Sequence, residues 1–162
     1  MKIGFLIVDM QESIVRDKLD QKAIDRACEY INHVADVLRS SGHVVVHVQD
    51  VEGMEDSNSE VYRIISEVDV NEKDLTVTKE SSNAFWHTDL EQILKSHGVE
   101  LLIISGFSAE ECVLFTYNGA MERGFRPVML QNGILSTHSE AVISTYRDRN
   151  VISYPVVDYL IK

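Results

Sequence analysis

The chain has 162 residues and a net charge of −11, from 26 acidic and 15 basic side chains. A sequence of this length is typical of one domain, which buries enough surface to fold without metal or disulfide staples. The negative charge disfavours nucleic acid and anionic membranes as partners, and no apolar run approaches the ~20 residues needed to span a bilayer.

The first predicted element is a strand over residues 2–8, KIGFLIV. Asp9 ends this apolar run before any small-residue cleavage site, so the pattern favours a strand over a signal peptide. Residues 20–42 then place apolar side chains at helical spacing, and Gly42 supplies a C-terminal stop. Cys28 lies on this stripe and is assigned to packing. The only other cysteine is Cys112, so there is no disulfide framework, which favours a cytoplasmic location.

Further strands and helices alternate along the rest of the chain. Their apolar runs are continuous, which is typical of strands covered on both faces. Repeated β-α units predict a parallel sheet with helices on both sides and right-handed crossovers. The acidic segment 51–60 is expected to form an exposed loop beside the carboxyl edge of the sheet, either a connector or a substrate lid. Strands are predicted at 43–49, 75–78, 100–105, 126–130 and 151–154, and helices at 88–97, 109–123 and 138–149.

Several familiar sites lack sequence support. No G-x-G-x-x-G follows the first strand, and no G-x-x-x-x-G-K-[ST] occurs, which excludes the usual dinucleotide and P-loop signatures. The six histidines form no H-x-x-x-H motif with a glutamate and lie near no cysteine pair. His43 and His47 are four residues apart on a strand, a separation of about 13 Å. The sequence therefore predicts no metal and no cofactor.

Three polar residues stand at or just beyond the ends of predicted strands: Asp9, Lys79 and Cys112. In open α/β sheets, ligands bind beyond the carboxyl ends of the strands, where the strand order reverses. If the first strand neighbours the fourth, these three side chains meet there. Each also has a simpler interpretation: Asp9 as a helix cap, Lys79 as a solvent-exposed side chain, and Cys112 as a small core residue.

The position of Cys112 favours a functional thiol. Residues Ser108 to Glu111 fit a capping box, with Ser108 as N-cap and Glu111 at the third helical position. Cys112 would then lie in the first helical turn, where the dipole and free N–H groups favour a thiolate. Glu110 and Glu111 should raise the thiol pKa, so a compensating cation is needed. Lys79 is the candidate.

Three segments, in order over nearly the whole chain, match motifs of one family. FLIVDMQ resembles a first strand with D-x-Q, which gives Asp9 and Gln11. TKESSNAFWHTDL resembles K-x-x-x-(S/N)-A-F-x-x-T-x-L, which begins at Lys79. SGFSAEECVLFTYNGAMERGF resembles G-x-x-x-x-x-C-V-x-x-T-x-x-x-A-x-x-x-G, which contains Cys112. The chain thus resembles the isochorismatase-like cysteine hydrolases, which include nicotinamidases and N-carbamoylsarcosine amidases.

The resemblance implies one domain over residues 1–162, with a three-layer α/β/α, Rossmann-like fold and a six-stranded parallel sheet of order 3-2-1-4-5-6. It implies an Asp-Lys-Cys triad of Asp9, Lys79 and Cys112. It also implies a cis peptide at Phe107–Ser108, and an oxyanion hole formed by the backbone N–H groups of Ser108 and Cys112. Relatives are commonly dimers or tetramers, so a homodimer or homotetramer is expected. The candidates to line the substrate pocket are Gln11, Ile14, Gln49 and Phe85.

Departures from the family pattern limit which of the family's activities the sequence predicts. Nicotinamidases carry an Asp-x-His cluster after the second strand to hold a metal, whereas HVQDVEGMEDS has no such histidines. We therefore interpret the chain as a metal-independent hydrolase of a small amide or related C–N bond, acting through a thioester. Two alternatives stay open: a non-catalytic binding protein that keeps the fold, and an isochorismatase-type vinyl ether hydrolase. The second needs an acid rather than a thiol, so Cys112 argues against it.

Overall fold

Six parallel strands form the sheet at the centre of the computed structural model, which describes residues 1–55 and 59–162. The strands are β1 (Lys2–Val8), β2 (Val44–Asp50), β3 (Leu75–Lys79), β4 (Val99–Phe107), β5 (Arg126–Leu135) and β6 (Val151–Ile152). Their order is β3-β2-β1-β4-β5-β6, and every neighbouring pair is parallel. The predicted sheet and strand order are confirmed, including β1 beside β4.

Helices cover both faces of this sheet. α2 and α6 pack on one face, and α3, α4 and α5 pack on the other. None of the helices in the described ranges is long and apolar enough to cross a membrane. The helices are α1 (Glu12–Val15), α2 (Gln21–Ser40), α3 (Leu90–Ser96), α4 (Cys112–Glu122), α5 (Ser139–Asp148) and α6 (Tyr154–Leu160), with a 3-10 turn at Glu60–Tyr62.

The burial of β1 explains why its sequence is continuously apolar. Ile3, Phe5 and Ile7 point into the core under α2. Leu6 and Val8, at alternate positions, point into the core under α3 and α4. Because successive side chains of a strand face opposite sides, a strand covered on both faces must be apolar at every position.

Several strand ends differ from the prediction, among them those of the last two strands. β6 ends at Ile152 rather than at residue 154, because Tyr154 already begins α6. Pro155 lies in the first turn of that helix, where the missing N–H is not needed. β5 continues to Leu135 instead of 130, past a register shift against β4 between Ile104 and Gly106.

Residues 51–55, the first part of the loop predicted at 51–60, follow β2 at the carboxyl edge of the sheet. Residues 56–58 of that predicted loop lie outside the described residues. The chain after this loop is attached to the helix-α1 region through an isolated bridge between Gln11 and Ile64.

Candidate active site

The site forms at the carboxyl edge of the sheet, where β1 and β4 approach closely. Gly106 of β4 pairs with Val8 of β1. A Cβ atom on Gly106 would lie 2.0 Å from the Val8 carbonyl oxygen. This contact brings Asp9, the residue after β1, beside the loop that leads from β4 to Cys112.

Lys79 connects the polar groups of the site. Its Nζ lies 3.0 Å from Asp9 Oδ2 and 3.6 Å from Cys112 Sγ. The three side chains singled out in the sequence are therefore neighbours. Asp9 and Lys79 are buried and Cys112 is half-buried, so their charges interact in a partly desolvated setting.

Asp50 is a further member of the cluster that the sequence reasoning missed. Its Oδ2 accepts a hydrogen bond from Lys79 Nζ at 2.8 Å, and its Oδ1 accepts one from the Glu52 N–H at 2.9 Å. Asp50 is the last residue of β2, just as Asp9 directly follows β1. The sequence contained one signal for Asp50, namely an acidic residue at the end of an apolar strand. The predicted strand ended one residue earlier, so this signal was missed.

Asp9 has a free acceptor atom. The residue is 1% exposed, and its Oδ1 has no hydrogen-bond partner in the part of the chain that the structure describes. Its Oδ2 bonds Lys79, and its own N–H donates to Val48 O at 2.9 Å. A carboxylate oxygen of Asp9 and the Cys112 sulfur lie within 4.8 Å of each other. A buried, unpaired oxygen beside a thiol is a suitable proton acceptor.

The surroundings keep the thiol protonated in the resting site. Burial, followed by the Asp9 carboxylate, raises the pKa of Cys112 to about 12, and Lys79 only partly offsets these effects. Burial also raises the pKa of Asp9, against the opposing effect of Lys79. Burial lowers the pKa of Lys79, but Asp9, Asp50 and Cys112 outweigh it, so the net pKa is raised and the ammonium persists. The expectation that the helix and Lys79 would favour a thiolate is wrong for this resting state.

The predicted capping box is also wrong. α4 begins at Cys112 rather than at residue 109, and Glu111 at its N-cap makes no side-chain capping bond. The Ser108 carbonyl instead accepts hydrogen bonds from the N–H groups of Glu111 and Val113. Glu110 turns away and accepts a hydrogen bond from Ser136 Oγ at 2.8 Å.

The loop before α4 presents free backbone donors. The Phe107–Ser108 peptide is cis. Across residues 1–55 and 59–162, the N–H groups of Ser108 and Cys112 donate to no other group. Both residues line the same cavity, so their N–H groups are available to a bound oxygen atom.

An open cavity of about 340 Å³ lies over the cluster. Of the four pocket candidates, Ile14 lines it, whereas Gln11, Gln49 and Phe85 are not among its lining residues. Phe85 packs in the core against Phe125, with ring centroids 5.8 Å apart. Gln49 donates to Tyr62 O and faces a separate depression. The lining residues are Asp9, Ser13, Ile14, Lys18, Asp50, Glu52, Tyr62, Phe107, Ser108, Glu111 and Cys112.

Gln11 is buried and its side-chain amide is fully engaged. Its Nε2 donates to Asp50 O at 3.0 Å and Tyr62 O at 2.7 Å, and its Oε1 accepts from the Asp50 N–H at 2.7 Å. These bonds hold the end of β2 against the 3-10 turn. Gln11 therefore supports the cavity wall rather than facing a substrate.

Asp9, Asp50 and Cys112 have potential metal-ligand atoms within 4.8 Å of one another. Lys79 Nζ already contacts all three, at 3.0, 2.8 and 3.6 Å. An ammonium ion in that position repels a metal cation. These residues do not fit a metal while Lys79 is protonated.

Replacing Asp50 by asparagine should lower the pKa of Cys112 from about 12. The change removes a carboxylate that disfavours the thiolate and frees Lys79 to interact with sulfur. We expect a decrease that is small compared with the effects of burial and Asp9, because Asp50 contributes least among the groups that raise this pKa. Asparagine can still accept the hydrogen bond from the Glu52 N–H. The pH profile of iodoacetamide alkylation, read by peptide mass, measures this shift.

Cys28 is the internal control for this experiment. Burial raises its pKa to about 12 as well, but it lies on α2 in the core, away from Asp50. Its alkylation profile should be the same in both proteins. A Cys112 profile that does not move in the Asp50→Asn protein would contradict the electrostatic coupling.

The family model described as the isochorismatase domain matches residues 4–150. The chain is 27% identical over 147 residues to the uncharacterized isochorismatase family protein YddQ of Bacillus subtilis, covering 85% of this chain and 79% of that protein. It is 36% identical over 56 residues to an N-carbamoylsarcosine amidase of Arthrobacter sp., covering 35% of this chain and 21% of that protein.

Solved structures show the same fold at low sequence identity. An isochorismatase-like hydrolase from Alkaliphilus metalliredigens superposes with a TM-score of 0.85 at 22% identity, covering 99% of this chain and 98% of that one. A pyrazinamidase of Pyrococcus horikoshii in complex with zinc has a TM-score of 0.80 at 20% identity, covering 94% and 99%.

Proposed function

Because the chain belongs to the isochorismatase family, we propose that it is a cysteine hydrolase that cleaves a small amide or related C–N bond. The observation that carries this proposal is the contact of Lys79 with both Asp9 and Cys112 at the floor of an open cavity. An amidase among its relatives supports the reaction class.

The first step is attack of the Cys112 sulfur on the substrate carbonyl. Because the resting thiol is protonated, its proton moves to Asp9 Oδ1 as the sulfur–carbon bond forms. The raised pKa of Asp9 suits it to receive this proton. Lys79 stays protonated and holds Oδ2 of the same carboxylate, which leaves Oδ1 for the transfer.

The carbonyl oxygen becomes negatively charged during this attack. The free N–H groups of Ser108 and Cys112 are the donors for that charge. Removing one such donor in other enzymes costs about 10²- to 10³-fold in rate. These donors belong to the backbone, so no side-chain substitution removes them. The conformation of the loop before α4 sets their positions.

Collapse of the intermediate breaks the C–N bond. The nitrogen leaves with the proton held by Asp9, and the acyl group remains on sulfur as a thioester. Asp9 is then a carboxylate again. It takes a proton from a water molecule while the oxygen of that water attacks the thioester carbon. The acid leaves, and the proton returns to the Cys112 sulfur.

The proposal needs no metal ion for these steps. The Lys79 ammonium supplies the positive charge among Asp9, Asp50 and Cys112. Because the pyrazinamidase of similar fold was solved with zinc, the test of the proposed activity includes a chelator.

We extend the proposal to one domain over the whole chain, a cytoplasmic location, a small-molecule substrate and a homo-oligomeric assembly. Two cores flanking one sheet support the single domain. Exposed apolar side chains on α6, namely Val156, Tyr159 and Leu160, support self-association.

The proposed activity is tested by ammonia release from a panel of small amides, including pyrazinamide and N-carbamoylsarcosine. At least one amide should be hydrolysed, and dialysis against a chelator should leave the rate unchanged. Loss of activity on chelation, restored by zinc, would contradict metal independence. Tight binding without turnover would favour a non-catalytic binding protein. Turnover of isochorismate but of no amide would favour vinyl ether hydrolysis.

A further inference from the structure

The residues that line the cavity carry more negative than positive charge. Its lining includes four carboxylates, Asp9, Asp50, Glu52 and Glu111, but only one lysine, Lys18. Lys79 lies just below and bridges Asp9 to Asp50. A substrate entering this cavity therefore meets more negative than positive charge.

Glu52 and Glu111 are the carboxylates without a compensating cation. Both side chains are exposed, and neither forms an ion pair within residues 1–55 and 59–162. Asp50 differs, because Lys79 and the Glu52 N–H already occupy its two oxygens. Glu52 and Glu111 thus remain free to attract a cation near Cys112.

A second observation points to a ligand in the same place. Asp9 Oδ1 is buried, unpartnered within the described chain, and part of the cavity lining. A carboxylate oxygen has two lone pairs, so Oδ1 can accept a hydrogen bond from a bound molecule as well as the Cys112 proton, whereas a carboxylate on that molecule would be repelled by it.

Lys18 is the one positive group in the cavity lining that opposes this bias. Its Nζ lies 5.9 Å from the centre of the Phe107 ring, which attracts the ammonium by a cation–π interaction. One exposed lysine does not offset the surrounding carboxylates. The net charge of −11 on the whole chain acts in the same direction.

Building on the proposed amidase function, we propose that this cavity selects amides that carry a positive charge, such as an ammonium group, close to the reacting carbonyl. Amides with a carboxylate in that position should be the poorest substrates. The scissile group remains an ordinary amide, and Glu52 and Glu111 are the residues that determine the preference.

Three amides that share the unit CH₂CH₂CONH₂ test this selection: β-alaninamide, butyramide and succinamate. Their remaining groups are an ammonium, a methyl and a carboxylate. We expect kcat/KM for ammonia release to fall in that order, by about tenfold at each step at low salt. The differences should shrink in 1 M NaCl, because salt screens exposed charges.

A double variant and a control variant test whether the charge preference arises from the cavity carboxylates. Changing Glu52→Gln and Glu111→Gln together should reduce the preference for β-alaninamide over succinamate to about a third or less of its original value. Glu72→Gln is the matched control: it lies in the exposed turn before β3, at the opposite edge of the sheet. The preference should be unchanged in that protein.

Protection of Cys112 from alkylation supplies a readout that does not need turnover. β-Alaninamide should protect at lower concentration than succinamate. Equal protection or equal turnover by the two compounds would overturn the charge preference. So would a preference that survives the double variant, and in these cases amide hydrolysis itself would stand. Hydrolysis of no amide, either here or in the wider panel, would instead overturn the proposed function.

Discussion

Replacing Cys112 by alanine is expected to abolish ammonia release from every amide substrate. The change removes the Cys112 sulfur, the only atom in the cluster that can form a thioester with the acyl group. Removing the nucleophile in enzymes with covalent intermediates costs about 10⁶-fold in kcat. We expect the residual rate to lie below the detection limit of an ammonia assay.

The same variant should fold normally. Cys112 is only half-buried, and alanine is at least as favourable in a helix as cysteine. Circular dichroism and the melting temperature should therefore match those of the wild-type protein to within a few degrees. Mass spectrometry should also detect an acyl adduct in the wild type during turnover and none in the variant.

Cys28→Ala is the matched control. Cys28 is buried on α2 among core residues, so its loss leaves a small cavity and costs about 1 kcal/mol of stability. Activity should be retained. If Cys112→Ala kept its activity, or if Cys28→Ala lost it, the assignment of the nucleophile would be wrong.

Replacing Gly106 by alanine is expected to remove most of the folding stability. The added Cβ would lie 2.0 Å from Val8 O and 2.7 Å from Val8 N, both backbone atoms of the neighbouring central strand. Gly106 also has a φ of 109°, which side-chain-bearing residues rarely adopt. Neither β1 nor β4 can move away without breaking the sheet, so we expect a loss of about 4 kcal/mol or more.

A substitution at a second glycine distinguishes the cost of the steric overlap from the cost of the positive φ. Gly98 precedes the same strand with a φ of 69°, and a Cβ atom added there would have no other atom within 4 Å in the described part of the chain. Gly98→Ala should cost only about 1–2 kcal/mol. Urea denaturation of both variants measures the difference. Equal losses would show that the contact with Val8 is not what makes Gly106 necessary.

Much of the sheet could be predicted because its strands are buried on both faces. Ile3, Phe5 and Ile7 enter one core while Leu6 and Val8 enter the other, so the sequence of β1 shows an unbroken apolar run. The strand order, in contrast, was predicted from the resemblance to a family, because apolar runs identify strands but not which strands are neighbours.

Features set by long-range contacts were harder to predict. The S-x-x-E pattern at Ser108 indicated a helix start, but the loop is shaped by its pairing with β5, where the Ala109 N–H donates to Leu135 O. Asp50 was left out of the strand predicted at 43–49, and its partner, Lys79, lies 29 residues away in the sequence, so no local pattern indicated their contact. Phe85 matched a family motif, yet its role in this chain is packing against Phe125.

The side chain of Gln11 behaves like an additional peptide unit. Its carboxamide donates and accepts just as a backbone amide does, and it bonds both the N–H and the C=O of Asp50. With its bond to Tyr62 O, it extends the hydrogen-bonded sheet sideways to one wall of the cavity. That wall thus shares the rigidity of the central strands. Evolution of new specificity would be easier at Ile14 and Glu52, whose side chains lack such anchoring, than at the backbone around Tyr62.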